Sequence, residues 1–236
     1  MAEIIKLGSL YFDGQPQEVG SKYNNGQITF GPAVPGKELQ WFKINGILVA
    51  DRCVCTCVSW EQLDDQDLVF GTLARIDGQF YLCRCLKVGT DAVVPSEWNT
   101  ALNEIGKNNM IWHWKNQYFW GQETLKGQAS HRAVRGYSSA RFWNDLAVTT
   151  RRAYVGFRPA LEPLGPEPCS PDALIGKTIR LYGARGVPLE GRLLDVDDYD
   201  LILTPVTGTP TDCSWASRAG ENLVVSRDSV LWAKEV

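Results

Sequence analysis

SHRAVRGYSSARFWNDLAVTTRRAYVGFRPALEPL, residues 130–164 of a 236-residue chain, carries six arginines: Arg132, Arg135, Arg141, Arg151, Arg152 and Arg158. Asp145 is its one acid before the last few positions. The stretch is polar and aromatic at first and closes on the short apolar run Val155-Gly156-Phe157-Arg158-Pro159. A loop of this kind ahead of a strand is how a binding surface is built on a rigid scaffold. An arginine inside an apolar strand needs a partner. Arg158 is therefore expected to be tied to an internal carboxylate, and Arg141 is open to the same pairing.

Upstream lies Met110–Gln122, where Trp112, Trp114, Tyr118 and Trp120 fall within nine residues. The alternation predicts a strand or loop that shows aromatics on one side. His113, between two tryptophans, is a packing histidine or a ligand contact, and no carboxylate or second histidine at a fixed offset makes a dyad with it. Just before this, Pro95-Ser96-Glu97 opens a helix with Ser96 as N-cap, Trp98, Leu102 and Ile105 on one face, and Gly106 as its stop.

Further upstream, Leu39–Ser59 reads as two strands joined at Asn45-Gly46, a two-residue hairpin signal. Cys53, Cys55 and Cys57 alternate with Val54, Thr56 and Val58, and Cys83 and Cys85 repeat the pattern after Gly78-Gln79. Cysteines two apart on a strand point the same way, with sulfurs ~7 Å apart, too far for a disulfide or one tetrahedral ion within the strand. They read as small buried hydrophobes of a reducing compartment, with a two-strand thiolate site as the rival reading. The first forty-odd residues are turn-rich, with short strand candidates at Ile4–Tyr11 and Gln27–Phe30.

Downstream, Glu162–Pro171 holds four prolines in ten residues and reads as a stiff linker. The expected organisation is a domain over 1–164, a linker over 165–172 and a small domain over 173–236. The net charge is −3. From Asp172 onward there are seven Lys/Arg and ten Asp/Glu, so the whole −3 sits there and residues 1–171 are neutral. Neither part is a basic nucleic-acid binder. No apolar run approaches the ~20 residues of a membrane span, and no signal peptide is read at the amino terminus. The expected location is the cytoplasm of a host cell or a virion.

Arg135-Gly136-Tyr137-Ser138-Ser139-Ala140-Arg141-Phe142-Trp143, followed by Val155-Gly156-Phe157-Arg158-Pro159, resembles the closing segment of the formylglycine-generating-enzyme type of C-type-lectin fold. Glu97-Trp98-Asn99, Trp112-His113-Trp114 and Trp120 resemble phage and mobile-element proteins of this type from Firmicutes. The resemblance spans most of residues 1–163. It implies an α+β scaffold with much irregular loop. Oxidase members of the family need a cysteine pair late in the domain, and Ser130–Leu164 has none. The resemblance thus implies a binding protein and no enzyme. Some relatives are diversified by retroelements just ahead of the G-F-R strand, here Tyr137–Arg152.

In the second domain, Gly176-Lys177, Gly186-Val187-Pro188-Leu189-Glu190-Gly191 and Asp197-Asp198-Tyr199 resemble the first motif of the Sm-like fold, including the RNA chaperone Hfq. Val224-Val225-Ser226-Arg227-Asp228-Ser229-Val230 resembles its second motif. This implies a C-terminal all-β Sm-like small barrel of about five strands, and a homo-oligomer assembled through it. Acidic residues at its RNA-contact positions disfavour phosphate binding there. Arg227 is expected to contact a ligand or pair with a nearby Asp.

The expected function is non-catalytic recognition of a protein, glycan or small molecule, without a cofactor or metal. The candidate contacts are Trp112, His113, Trp114, Tyr118, Trp120, Arg135, Tyr137, Arg141, Phe142, Trp143, Asn144 and Asp145. The rival readings are a phage anti-defence inhibitor or sponge, and RNA or nucleotide binding through an Sm-like ring.

Overall fold

The computed structural model describes residues 4–125, 127–183, 188–206 and 215–236. The chain divides into two compact units, Met1–Pro163 and Leu164–Val236. Its first half runs β1 (Ile4–Phe12), β2 (Gln15–Pro16), β3 (Ser21–Lys22), β4 (Ile28–Gly31), β5 (Glu38–Ile44), β6 (Ile47–Ala50), β7 (Cys55–Thr56), α1 (Trp60–Asp64), β8 (Thr72–Ile76) and β9 (Gln79–Cys85). Then come α2 (Glu97–Ile105), α3 (Asn109–Trp112), β10 (Tyr118–Leu125), β11 (Gln128–Gly136), β12 (Trp143–Ala147), β13 (Val155–Phe157) and β14 (Pro159–Gly165). The rest is β15 (Thr178–Gly183), β16 (Leu189–Val196), β17 (Asp200–Pro205), β18 (Ala216–Ala219), β19 (Asn222–Ser226) and β20 (Val230–Glu235), with single 3-10 turns at Pro171–Leu174 and Arg227–Ser229.

Local chemistry accounts for the turns and caps. Asn45 and Gly46 take φ of 45° and 85°, as a two-residue I′ hairpin requires, and Ile44 faces Ile47 across it. The Ser96 side chain accepts from the Asn99 N–H at the start of α2, and Gly106 ends the helix. One sheet of the first unit has the order β2-β1-β5-β6-β14-β9-β8, with β4 also on β1. The other has the order β12-β11-β10-β13-β7-β3.

Strand alternation sorts successive residues into two cores. Trp41, Trp120 and Leu161 enter one cluster, with Leu10, Trp60 and Phe157. Their neighbours Phe42, Phe119 and Ala160 enter the other, with Trp98 and Trp112 from the two helices. Within the second sheet the paired strands β13 and β7 come close at Gly156, where an added Cβ would lie 2.2 Å from the Cys55 carbonyl.

The α+β expectation does not hold. The structure is 51 % strand and 11 % helix, in three sheets. The α-helices among the described residues have only five, nine and four residues, too short to form a layer of their own. The Sm-like barrel does not hold either. The second unit is a sheet of six strands in the order β18-β19-β17-β16-β15-β20. The expected loop Thr204–Asn222 supplies the sixth strand, β18, which pairs with β19. Among the described residues the end strands β18 and β20 do not pair with each other, so the sheet is open. Gly186 and Val187 of the expected motif lie outside the described residues. No helix is long and apolar enough to cross a membrane among the described residues.

The cysteine strand is also different. The chain bends at 51–54 and pairs again only over Cys55–Thr56. Cys53 therefore falls in one core and Cys55 in the other. Cys57 takes a left-handed φ of 59°. No three Cys, His, Asp or Glu side chains converge as a metal-ligand set among the described residues. Burial pushes the Cys53 thiol up to about 11 and also raises Cys55, Cys83 and Cys85.

Arg158 is fully buried, and no carboxylate lies within ion-pair distance of it among the described residues. Its guanidinium carbon sits 4.5 Å from the Phe119 ring centroid, 4.9 Å from that of Trp98 and 6.0 Å from that of Trp112. Nη2 donates to the Trp112 carbonyl, while Nε and Nη1 have no hydrogen-bond partner among the described residues. The expected carboxylate is replaced by an aromatic cage.

Two outcomes follow from this core. Arg158→Met keeps most of the volume and removes a buried charge, whereas Arg158→Ala opens a cavity that costs about 3 kcal/mol. In urea unfolding the Met variant is expected to be more stable than the Ala variant by about 2 kcal/mol. Because the thiolate is the reactive form, a thiol reagent on native protein should spare Cys53, Cys55, Cys83 and Cys85. Peptide mapping should find them labelled only after denaturation.

Candidate functional site

The register of the second sheet gathers four aromatic residues at one end of it. Tyr118 opens β10, opposite Gly136 on one neighbouring strand and Val155 on the other. Tyr137 follows the first partner and Tyr154 precedes the second, so both flank Tyr118. Phe142 completes the group through the Gly136 N–H, which donates to its carbonyl at 3.1 Å. Tyr118 is buried, while Tyr137, Phe142 and Tyr154 are 37 %, 38 % and 40 % exposed.

The Tyr137 and Tyr118 rings stack at 4.7 Å with 12° between planes. Tyr154 meets both edge-on, at 6.2 Å from Tyr118 and 5.9 Å from Tyr137. Phe142 lies 6.2 Å from Tyr118, and the Asn144 amide donates to the Tyr118 hydroxyl at 3.4 Å. The backbone beneath is forced. Gly136 has φ 100°, and a Cβ there would sit 2.4 Å from the Gln117 carbonyl. Tyr137 has φ 70°, a left-handed conformation costly for a bulky side chain. It is held because its N–H is shared between the carbonyls of Trp114 at 2.9 Å and Gln117 at 3.0 Å.

Other residues named from the sequence frame this face and do not form it. Trp112 and Trp120 are fully buried, with indole N–H groups on the carbonyls of Gly106 and Val58. They are core residues, not the contacts expected. Trp114 and Trp143 are half-buried and tie down Lys107 and Gly89 in the same way. Arg135 is fully buried; its Nη2 donates to Asn99 Oδ1 at 2.6 Å and its Nη1 to the Arg141 carbonyl at 3.1 Å. Burial, then the neighbouring Arg141, lowers its pKa to about 10. Arg141 donates to Asn99 and Asn103, so side-chain amides take the place of the carboxylate to which its pairing was open. The two arginines thus pin the loop 137–142 to α2. Asp145 sits apart on β12, 4.0 Å from His131.

No family model, curated protein or solved structure matches this chain. Chemistry at the site therefore rests on its own geometry.

His113 belongs to a different place. It caps α3 with φ 45°. Its Nε2 lies 2.7 Å from Arg52 Nη2 and 3.5 Å from Asp51 Oδ2. Arg52 donates through both Nε and Nη2 to Asp51 Oδ2, at 2.8 and 2.6 Å. An arginine can only donate, so this contact is a hydrogen bond for the neutral imidazole that carries its proton on Nδ1. Burial, then Arg52, holds the His113 pKa below its ordinary 6.5, with Asp51 opposing. Sequence offsets did not show this group because 61 residues separate Arg52 from His113. Tyr154 was missed as well. It stands two residues beyond the stretch Tyr137–Arg152, and its signal was the aromatic next to the Val155 strand.

The unfolded chain binds the His113 proton at higher pH than the folded one. Its contribution is therefore present above about pH 6.5 and is lost as pH falls from there through the lower folded pKa. In an NMR titration the His113 ring should titrate below 6.5, and Arg52→Gln should move the midpoint upward.

Proposed function

We propose that the chain is a non-catalytic recognition protein and that the Tyr118–Tyr137–Phe142–Tyr154 face meets the surface of a partner protein. The observation that carries this is Tyr137, held in a strained left-handed backbone with its ring stacked on Tyr118 and still 37 % exposed. Strain of about 1–3 kcal/mol persists where the surroundings over-determine it, and such positions cluster at functional sites. A core tyrosine would need no such backbone.

The face is built as protein-binding surfaces are. Rigid tyrosines give large contact area at low entropy cost, and serine and asparagine add adaptable hydrogen bonds. Ser138 and Ser139 are exposed beside Tyr137, Asn144 lies at the Tyr118 hydroxyl, and Arg152 is exposed two residues before Tyr154. Small-molecule sites are concave. Two clefts among the described residues, of about 420 and 300 Å³, are lined by residues 27–75 and 6–52, away from these rings.

Tyr137→Gly separates binding from folding. It relieves backbone strain of about 1–2 kcal/mol and loses stacking worth about 0.5–1.5 kcal/mol, so stability should stay within about 1.5 kcal/mol of the parent. A photoreactive residue at Phe142 is used to crosslink partners in a lysate of the encoding organism, with exposed Met110 as the control position. The expected result is a protein crosslinked at 142 and not at 110, whose purified form binds the parent chain at least about 30-fold more tightly than Tyr137→Gly. Equal crosslinking at both positions, or equal affinity for both chains, would overturn the proposal.

A further inference from the structure

Away from the aromatic face, a cleft of about 300 Å³ opens on the first sheet, lined by Lys6, Gly36, Glu38, Gln40, Asp51 and Arg52 among others. Its centre is Gln40 of β5. Lys6 of β1 pairs with Gln40 on one side. On the other side the Asp51 N–H donates to the Gln40 carbonyl at 3.0 Å. Lys6, Gln40 and Asp51 thus form one row across adjacent chain segments, with Arg52 at its end. Glu38 stands two residues along β5 on the same face, about 7 Å from Gln40.

The charges balance, and they are unequally committed. Asp51 is nearly buried and takes both Nε and Nη2 of Arg52 on a single oxygen. His113, in a left-handed backbone, grips Nη2 from the other side. Arg52 nevertheless remains 37 % exposed. An arginine needed only to neutralise Asp51 has no use for the histidine clamp. A guanidinium fixed along one edge by two groups is instead pre-organised to offer its other edge. Nη1 has no hydrogen bond to the protein among the described residues, and Lys6 is exposed with no partner among them. Glu38 is oriented by the Gly36 N–H, which donates to Oε2 at 2.9 Å, and Oε1 has no hydrogen bond among the described residues.

We propose that this cleft binds a small zwitterion of the α-amino-acid class, its carboxylate on Arg52 Nη1 and Lys6 Nζ and its ammonium on Glu38. A group about 3 Å long with one hydrogen bond at each end spans about 8 Å, which matches the scale of the row. The volume is in the range of small-ligand sites. A simple anion would leave Glu38 facing it, and a simple cation would face Lys6 and Arg52. The balanced lining favours a ligand carrying both charges. The site is independent of the aromatic face, so either reading can fail alone.

The test is an NMR titration of the full chain with each of the common amino acids, following the backbone amides of Lys6, Gln40 and Arg52 and the Arg52 Nε–H. Acetate and methylammonium serve as single-charge controls. At least one amino acid should give saturable shifts with a Kd of about 1 mM or tighter, and both controls should bind at least about tenfold more weakly. Glu38→Gln and Lys6→Gln should each weaken binding about tenfold, while Tyr137→Gly leaves it unchanged. Lys6 is exposed and unpartnered, so its variant keeps the fold and a negative result is interpretable. No saturable shift with any amino acid, acetate binding as tightly as the best amino acid, or an unchanged Kd in the Lys6 and Glu38 variants would overturn the proposal.

Discussion

A charged guanidinium, that of Arg158, is enclosed in the first unit with no carboxylate in ion-pair reach among the described residues. Desolvating such an ion costs several kcal/mol. Each desolvated cation–π contact returns up to about 2 kcal/mol, and Trp98, Trp112 and Phe119 all face Arg158. The Trp112 carbonyl adds a charge-assisted hydrogen bond. Burial lowers the Arg158 pKa to about 10, with the Cys53 thiol and Asp51 opposing, so the group stays charged at neutral pH. The cage joins α2, α3, β10 and the segment between β13 and β14. The position of α3 in turn places His113 against Arg52 and Asp51. The cage therefore supports both a core and the clamp beside the polar cleft.

The same substitution of partners recurs along the arginine-rich stretch. Arg132 lies 4.1 Å over the Trp60 ring. Arg135 and Arg141 converge on Asn99. Arg151 donates to the carbonyls of Cys57 and Tyr23. None of the six arginines forms an ion pair among the described residues. Planar guanidinium groups with several donors suit this task, because irregular segments expose carbonyls that no ladder satisfies. In the second unit an arginine does meet an acid: Arg227 reaches Asp172 at 3.7 Å and donates to the Asp197 carbonyl at 2.7 Å.

The aromatic face follows from that bracing. Its rings come from four separate segments, and strand register alone sets Tyr137 and Tyr154 on either side of Tyr118. Arg135 and Arg141 hold the intervening loop to α2, while the close approach at Gly136 and the shared N–H of Tyr137 set its path. The polar cleft uses a different device, a histidine and a buried carboxylate closing on one arginine.

The sequence by itself determined the features governed by neighbours in the chain. Ser96 and Gly106 bound a helix, Asn45-Gly46 turns a hairpin, and the thiols of Cys53, Cys55, Cys83 and Cys85 are buried. Each depends on short-range hydrogen bonding, allowed φ values or plain hydrophobicity. It also marked Tyr118, Tyr137, Phe142 and Asn144 as one region. What only the tertiary structure decided is which distant group each polar side chain meets. Pattern alone could not replace Arg158's carboxylate by three rings, send Cys53 and Cys55 into opposite cores, bury Trp112 and Trp120, or bring Asp51 and Arg52 to His113. Nor could it show that the helices are too short to form a layer, or that β18 extends the last sheet. The reason is physical: a buried charge or aromatic ring is satisfied by whatever long-range packing supplies, and many partners satisfy the same local sequence equally well.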